Sequence, residues 1–142
     1  MTAGSEPISD DEILYRRIPA GCGWYDPTQS DRPSPYAFRA NRQDSDGISL
    51  SREKYSSPED VCGRAREGKE YFVAELRAGD LRNKGLTLRP APLANDPGHC
   101  VLTEICWGNA STDEAQGCRV LLANELTRRV VGPYSGKAPV NR

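Results

Sequence analysis

The residues best suited to chemistry lie between positions 34 and 53, where arginines, aspartates and serines flank a short apolar pattern. Residues 48–51 alternate, so Ser49 and Ser51 share one strand face while two apolar side chains take the other. Two hydroxyls beside arginines are suited to a phosphate or nucleotide, because guanidinium groups bind phosphate through paired hydrogen bonds. An ordinary strand with one solvated face is the alternative. We therefore predict Ser49 as a catalytic residue, and the predicted ligand-binding residues are Arg39, Arg42, Ser51 and Arg52.

Three further residues are candidates for catalysis because of where the pattern places them. Arg16 and Glu104 each fall on the apolar face of a predicted strand, and a buried charge needs a partner. They are predicted either to form a structural ion pair with each other or to work in a catalytic site. His99 is the chain's single histidine and begins a strand, so any histidine-dependent mechanism uses it; a structural role is the alternative. Cys100 would point to the opposite face and so cannot be the nucleophile partner of His99, and Cys22 or Ser49 could reach it only through the fold.

A metal site is not predicted. Residues 42–53 come close to a calcium-binding loop, with Gly47 as the turn glycine and Glu53 in the last ligand position. The first ligand position, however, is Arg42, a cation where a carboxylate belongs. A turn with Gly47 at positive φ and Asp44 bonding nearby amides explains the stretch instead. The cysteines lack the short paired spacing of zinc sites, so no cofactor is predicted, and NAD is considered only as a substrate.

Composition limits the classes of function. The formal charge of -1 predicts no bulk binding of nucleic acid or of anionic membranes. The longest apolar run, residues 120–123, is far too short to span a bilayer. Five cysteines without a secretion signal are typical of reduced thiols, so we expect a cytoplasmic protein. The basic excess after residue 116 suits contact with a phosphate or an acidic partner, and solvated helix charge is the favoured alternative.

The elements that must position these residues can be predicted from periodicity and capping. Strands are predicted at 13–18, 48–51, 71–76, 86–89 and 99–106, and helices at 57–67, 80–83 and 111–131. Trp24 and Tyr25 should pin the long loop 19–35 to the body. The expected fold is a small single α+β domain with a mixed or antiparallel sheet and two main helices. The expected domain spans residues 10–131, with a flexible leader at 1–9 before it and a flexible basic tail at 132–142 after it.

Three blocks resemble a group of small uncharacterised bacterial proteins: Ile13-Leu-Tyr-Arg-Arg-Ile-Pro19, Phe38 through Arg52, and Asp96-Pro-Gly-His99. The chain is also similar in layout to ADP-ribosyltransferase-like toxins of the Arg-Glu-Ser type, some of which degrade NAD. That resemblance implies that Arg16 clamps a phosphate, Ser49 and Ser51 contact ribose or phosphate, and Glu104 stabilises an oxocarbenium ion.

The leading hypothesis is thus a toxin-like domain that handles NAD or a nucleotide phosphate. The alternative is a non-catalytic interaction module of a bacterial conflict or regulatory system. In that alternative, the 34–53 block docks a protein partner and the basic C-terminal helix adds contacts.

Overall fold

A computed structural model describes residues 2–140, and these residues form one six-stranded sheet in which every neighbouring pair is antiparallel. The order across the sheet is β4-β5-β2-β1-β3-β6. The α+β prediction is therefore confirmed, with an antiparallel rather than a mixed sheet. The strands are β1 Ile13–Pro19, β2 Ile48–Arg52, β3 Glu70–Arg77, β4 Leu88–Pro90, β5 His99–Leu102 and β6 Arg129–Ser135.

One face of the sheet carries the main core, because the apolar residues of the central strands alternate toward it. The helices are α1 Pro58–Gly63, α2 Ala78–Asn83 and α3 Asp113–Leu121, and α3 continues as a π-helical turn, Leu122–Leu126. The buried main-core side chains include Leu14, Ile18, Phe38, Ile48, Leu50, Leu76, Cys100, Leu102 and Leu122. A smaller buried cluster occupies the opposite face, where Tyr15 and Val73 pack against Val61 and Cys62 of α1.

Helix α1 begins where the sequence predicts, but it ends early. Ser57 caps it by accepting from the Asp60 amide, and the Asp60 carboxylate accepts from the Ser57 amide in return. The predicted end at residue 67 is wrong, because the helix ends at Gly63. Beyond that point, hydrogen bonds to Ala138 replace those of a helix. The Glu67 amide donates to the Ala138 carbonyl, and the Ala138 amide donates to the Ala65 carbonyl.

The predicted helix at 111–131 is also wrong in its second half. Thr127 ends the π-helical turn through its amide and hydroxyl, which both donate to the Leu122 carbonyl. Val130 and Val131 then pair with β3 as part of β6, in keeping with the strand preference of β-branched residues. The flexible tail predicted at 132–142 is therefore wrong for 132–135, which belong to β6, while residues 141 and 142 lie outside the described part of the chain.

The predicted flexible leader is wrong as well for the described residues 2–9. Ile8 is buried, and the fully buried Arg52 donates to the carbonyls of Gly4 and Glu6. Arg52 also makes a bidentate ion pair with Glu12, at 2.7 and 2.9 Å. A buried guanidinium needs these acceptors, so the segment before β1 is fixed to the fold.

The long loop before β2 is anchored as predicted. Trp24 and Tyr25 pack against the main core, and the Tyr25 ring meets Phe72 edge-on at 4.8 Å between centroids. A 3₁₀ turn, Pro35–Phe38, then places Phe38 in the core. Within residues 2–140, no helix has the length and apolar character needed to cross a membrane.

Candidate functional site

A polar cleft lies where β1 and β2 separate. Pairing between these strands consists of Leu14 with Arg52 and Tyr15 with Ser51, although both strands continue past that point. The opening that results has a volume of about 450 Å³. Its polar lining contains four arginines, two aspartates and the predicted serines and histidine: Arg16, Arg17, Arg39, Arg64, Asp44, Asp96, Ser49, Ser51 and His99.

Ser49 and His99 form a hydrogen-bonded pair in this cleft. The His99 Nε2 atom lies 2.9 Å from Ser49 Oγ, and its Nδ1 atom lies 2.8 Å from the carbonyl oxygen of Ala91. Because a carbonyl only accepts, Nδ1 carries a proton, and in the neutral ring Nε2 then accepts from the serine hydroxyl. The strand register explains the meeting: His99 is paired with Ser51, so its side chain reaches diagonally to Ser49 on the same face. The arrangement is a hydroxyl with a base oriented by a third group, which is the geometry of an activated nucleophile.

Arg16 lies beneath the same pair and is 8% exposed. Its guanidinium donates to three carbonyl oxygens: Ala37 at 2.9 Å, Ser49 at 3.0 Å and Arg39 at 2.8 Å. These hydrogen bonds join the 3₁₀ turn to β2 at the point where β1 and β2 separate. Burial lowers the pKa of Arg16 to about 10, with Asp44 acting in the opposite direction, so the group remains charged at neutral pH.

Two further arginines of the cleft lie over aromatic rings. The Arg39 guanidinium carbon lies 4.9 Å from the centre of the Trp24 ring, and that of Arg17 lies 5.5 Å from the Tyr71 ring. Stacking of this kind fixes the guanidinium plane while leaving N–H groups at its edge for an anion. The side chain of Arg17 also donates to the Val61 carbonyl, which anchors it to α1.

Asp96 supplies a buried carboxylate to the cleft, with 6% of the residue exposed. Its Oδ2 atom accepts from the Ser51 hydroxyl at 3.3 Å. Its Oδ1 atom lies 3.4 Å from the Arg64 guanidinium, yet no group in the described residues gives it a hydrogen bond. An ion pair without a hydrogen bond leaves acceptor capacity for a donor on a ligand.

The remaining predicted site residues lie elsewhere. The Glu104 carboxylate accepts from the Thr87 amide at 2.7 Å, since β5 ends at Leu102 and position 104 falls beyond it. The predicted Arg16–Glu104 ion pair is therefore wrong. Arg52 faces the N-terminal segment and not the cleft. Arg42 lies next to the cleft, along a separate groove described below.

Asp44 and Gly47 take the turn geometry that the sequence predicts. The Asp44 carboxylate accepts from the Asn41 amide at 2.7 Å, and Gly47 has a φ of 152°. The described residues contain no group of three or more histidine, cysteine, aspartate or glutamate side chains placed to hold a metal ion.

Sequence reasoning missed three charged residues of the cleft, Arg17, Arg64 and Asp96. The period of two places Arg17 on the face of β1 opposite Arg16 and assigns it no role. Asp96 is named only in the Asp96-Pro-Gly-His99 block, although a turn that leads directly to His99 is a signal that its side chain lies near the site.

A comparison of the chain with protein-family models, with curated proteins and with solved structures found no match.

Proposed function

We propose that the cleft binds NAD or another nucleotide through its phosphates and that Ser49 and His99 act on the bound molecule. The hydrogen bond between Ser49 Oγ and His99 Nε2 at 2.9 Å, inside an arginine-lined cleft, is the observation that carries this proposal. The proposed activity is that of a toxin-like enzyme that consumes a nucleotide. Glu104 takes no catalytic part in it.

The charge of the lining supports an anionic ligand. The lining of the cleft contains four arginines and two aspartates. The guanidinium groups of Arg17 and Arg39 lie over aromatic rings and do not pair with carboxylates of the described residues. Guanidinium groups prefer phosphate because their planar donors match its oxygens. The free acceptor on Asp96 suits a hydroxyl donor such as that of a ribose.

The chemistry available to the pair is attack by the Ser49 oxygen on a phosphorus of the bound ligand. The bond from Ser49 Oγ to phosphorus forms, His99 Nε2 takes the hydroxyl proton, and the bond to the leaving oxygen breaks as that oxygen receives the proton. In the second step, a water oxygen bonds to the phosphorus as His99 Nε2 takes a proton from the water. The bond from Ser49 Oγ to phosphorus then breaks, Ser49 Oγ takes that proton back, and the phosphorylated product is released. Arg17 and Arg39 would neutralise the charge on the phosphate oxygens.

Calorimetric titration with NAD, AMP and pyrophosphate tests the proposal directly. The wild type should bind all three, and Arg17→Gln should weaken each by roughly tenfold or more, because a charge-assisted hydrogen bond is lost. Arg128→Gln makes the same charge change at an exposed residue outside the cleft and should leave binding unchanged. A wild type that binds none of the three ligands would sink the proposal. Release of AMP from NAD would place the cleaved bond at the pyrophosphate, whereas release of nicotinamide would contradict attack on phosphorus.

A second candidate, a non-catalytic interaction module, has one observation in its favour. A single groove is lined by Tyr36 and Arg42 of the 34–53 block and by Arg119 of α3. A docking surface built from that block and from the basic helix would require this arrangement. Under this candidate, the groove takes a protein partner and the Ser49–His99 hydrogen bond is structural.

A further inference from the structure

The groove beside the cleft exposes two large aromatic side chains. Tyr36 is 66% exposed and Trp107 is 51% exposed, which is unusual for rings of this size. The groove has a volume of about 400 Å³, and its charged lining contains arginines and no acid. The arginines of this groove are Arg39, Arg42 and Arg119.

The groove and the Ser49 cleft share one wall. Arg39 and Asn41 line both, so the two cavities adjoin at these residues. The backbone of Arg39 is fixed at this point, because its carbonyl accepts from Arg16 at 2.8 Å.

Trp107 is held in place from the other side. Its amide donates to the Asp44 carbonyl at 2.8 Å, which ties its 3₁₀ turn to the 34–53 block. Asn109 closes that turn by accepting from the Cys106 amide and donating to the Glu104 carbonyl. An aromatic ring on an anchored backbone is suited to stacking, because little freedom is lost when a partner binds.

From this continuity we infer that the groove is a second subsite of the same ligand, in which a nucleobase stacks on Trp107 or Tyr36 while the pyrophosphate lies at Arg39. The ligand class is therefore a dinucleotide, in which two nucleosides are joined by a pyrophosphate. Aromatic faces accept any base by stacking, and the surrounding arginines select for the attached phosphates. The inference rests on the proposed function and makes it more specific.

Calorimetry on the full chain with NAD, AMP and pyrophosphate tests the subsite. NAD should bind the wild type more tightly than AMP does. Trp107→Ala and Tyr36→Ala should each weaken NAD by about tenfold, the usual range for a lost base stack, and leave pyrophosphate within twofold. Trp107→Phe keeps a stacking face and should restore most of the NAD affinity. Val120→Ala removes an exposed apolar side chain of α3 outside the groove and should change nothing.

The possible results separate this inference from the proposed function. If the wild type binds pyrophosphate and NAD equally well, or if neither aromatic variant changes NAD affinity, the subsite is refuted while the phosphate cleft stands. The groove would then be left to a protein partner. An equal loss of NAD and pyrophosphate in Trp107→Ala would also refute the subsite, because it would mean a disturbed cleft. If the wild type binds no ligand, the proposed function fails and the subsite fails with it.

Discussion

The buried Arg16 guanidinium donates a hydrogen bond of 3.0 Å to the carbonyl oxygen of Ser49, the residue whose hydroxyl meets His99. A cation therefore fixes the main chain of Ser49 from below, while an imidazole contacts its side chain from the cleft. The hydrogen-bond acceptors of this buried cation are all carbonyl oxygens, and no carboxylate of the described residues forms an ion pair with it. The consequence is that the stability of the fold and the geometry of the site depend on the same arginine.

Replacing Arg16 by methionine should lower the free energy of unfolding by about 3 kcal/mol, because three carbonyls lose the charge-assisted hydrogen bonds that a buried guanidinium gives them. Urea denaturation measures the change. The exposed Arg128→Met should stay within about 0.5 kcal/mol of the wild type. Equal stabilities for the two variants would mean that the three hydrogen bonds contribute nothing net.

Changing either member of the Ser49–His99 pair should abolish turnover without abolishing binding. In Ser49→Ala and His99→Gln, nucleotide turnover should fall by about 10²–10⁴, the usual contribution of a positioned acid–base group, while pyrophosphate affinity stays within threefold. The double variant should be no slower than the slower single variant, since the two groups act as a unit. Unchanged turnover in either single variant would show that the hydrogen bond is only structural.

Stability should fall in acid because of the carboxylates around Arg52. The hydrogen bond from Tyr55 is the main cause that lowers the pKa of Glu6 to about 2, and Arg52 and Lys54 add to it. Burial acts against the shift at Glu12, but the Arg52 hydrogen bond and the Ser9 amide lower its pKa overall. Groups with a lowered folded pKa stabilise the fold above their unfolded value of about 4.5 and lose that contribution as the pH falls toward 2.

The melting temperature followed from pH 5 to pH 2 measures this loss. Glu12→Gln, which keeps the shape of the side chain, should give a shallower profile than the wild type, and the exposed Glu59→Gln should follow the wild type. Arg52→Met should cost about 3–5 kcal/mol at neutral pH, since it leaves a buried ion pair broken. A Glu12→Gln profile as steep as that of the wild type would place the acid sensitivity elsewhere.

Gly47→Ala should destabilise the protein by about 2–3 kcal/mol. The φ of 152° disfavours any side chain, and a Cβ atom there would also collide with the carbonyl oxygen of Leu102. Gly21 has a φ of 86° with open space around it, so Gly21→Ala should cost only about 1 kcal/mol. Thermal unfolding of both variants separates the backbone cost from the collision, and similar losses would argue against the collision.

Local patterns were enough to predict the parts of the site that depend on alternation. The period of two put Ser49 and Ser51 on one face and Ile48 and Leu50 in the core, which is what β2 shows. The strand start at His99 was predicted in the same way. The sequence also indicated that Arg16 needs a partner, but it named Glu104, because the three carbonyl acceptors exist only where β1 and β2 separate.

The errors arise where distant segments pair. The Val130–Val131 segment continues a helical pattern along the chain, and only the unpaired edge of β3 makes it a strand. The same holds for the leader, whose burial depends on Arg52 rather than on any apolar run of its own. Capping residues predicted helix starts well, while helix ends were set by tertiary contacts that a single sequence does not display.

The two tryptophans of the chain divide between the two cavities: Trp24 lines the cleft and Trp107 lines the groove. The protein therefore carries one intrinsic fluorophore at each place where a ligand is expected. Trp24→Phe leaves emission from the groove alone, and Trp107→Phe leaves emission from the cleft alone. Quenching in these two variants would report the occupancy of each cavity separately, without any added label.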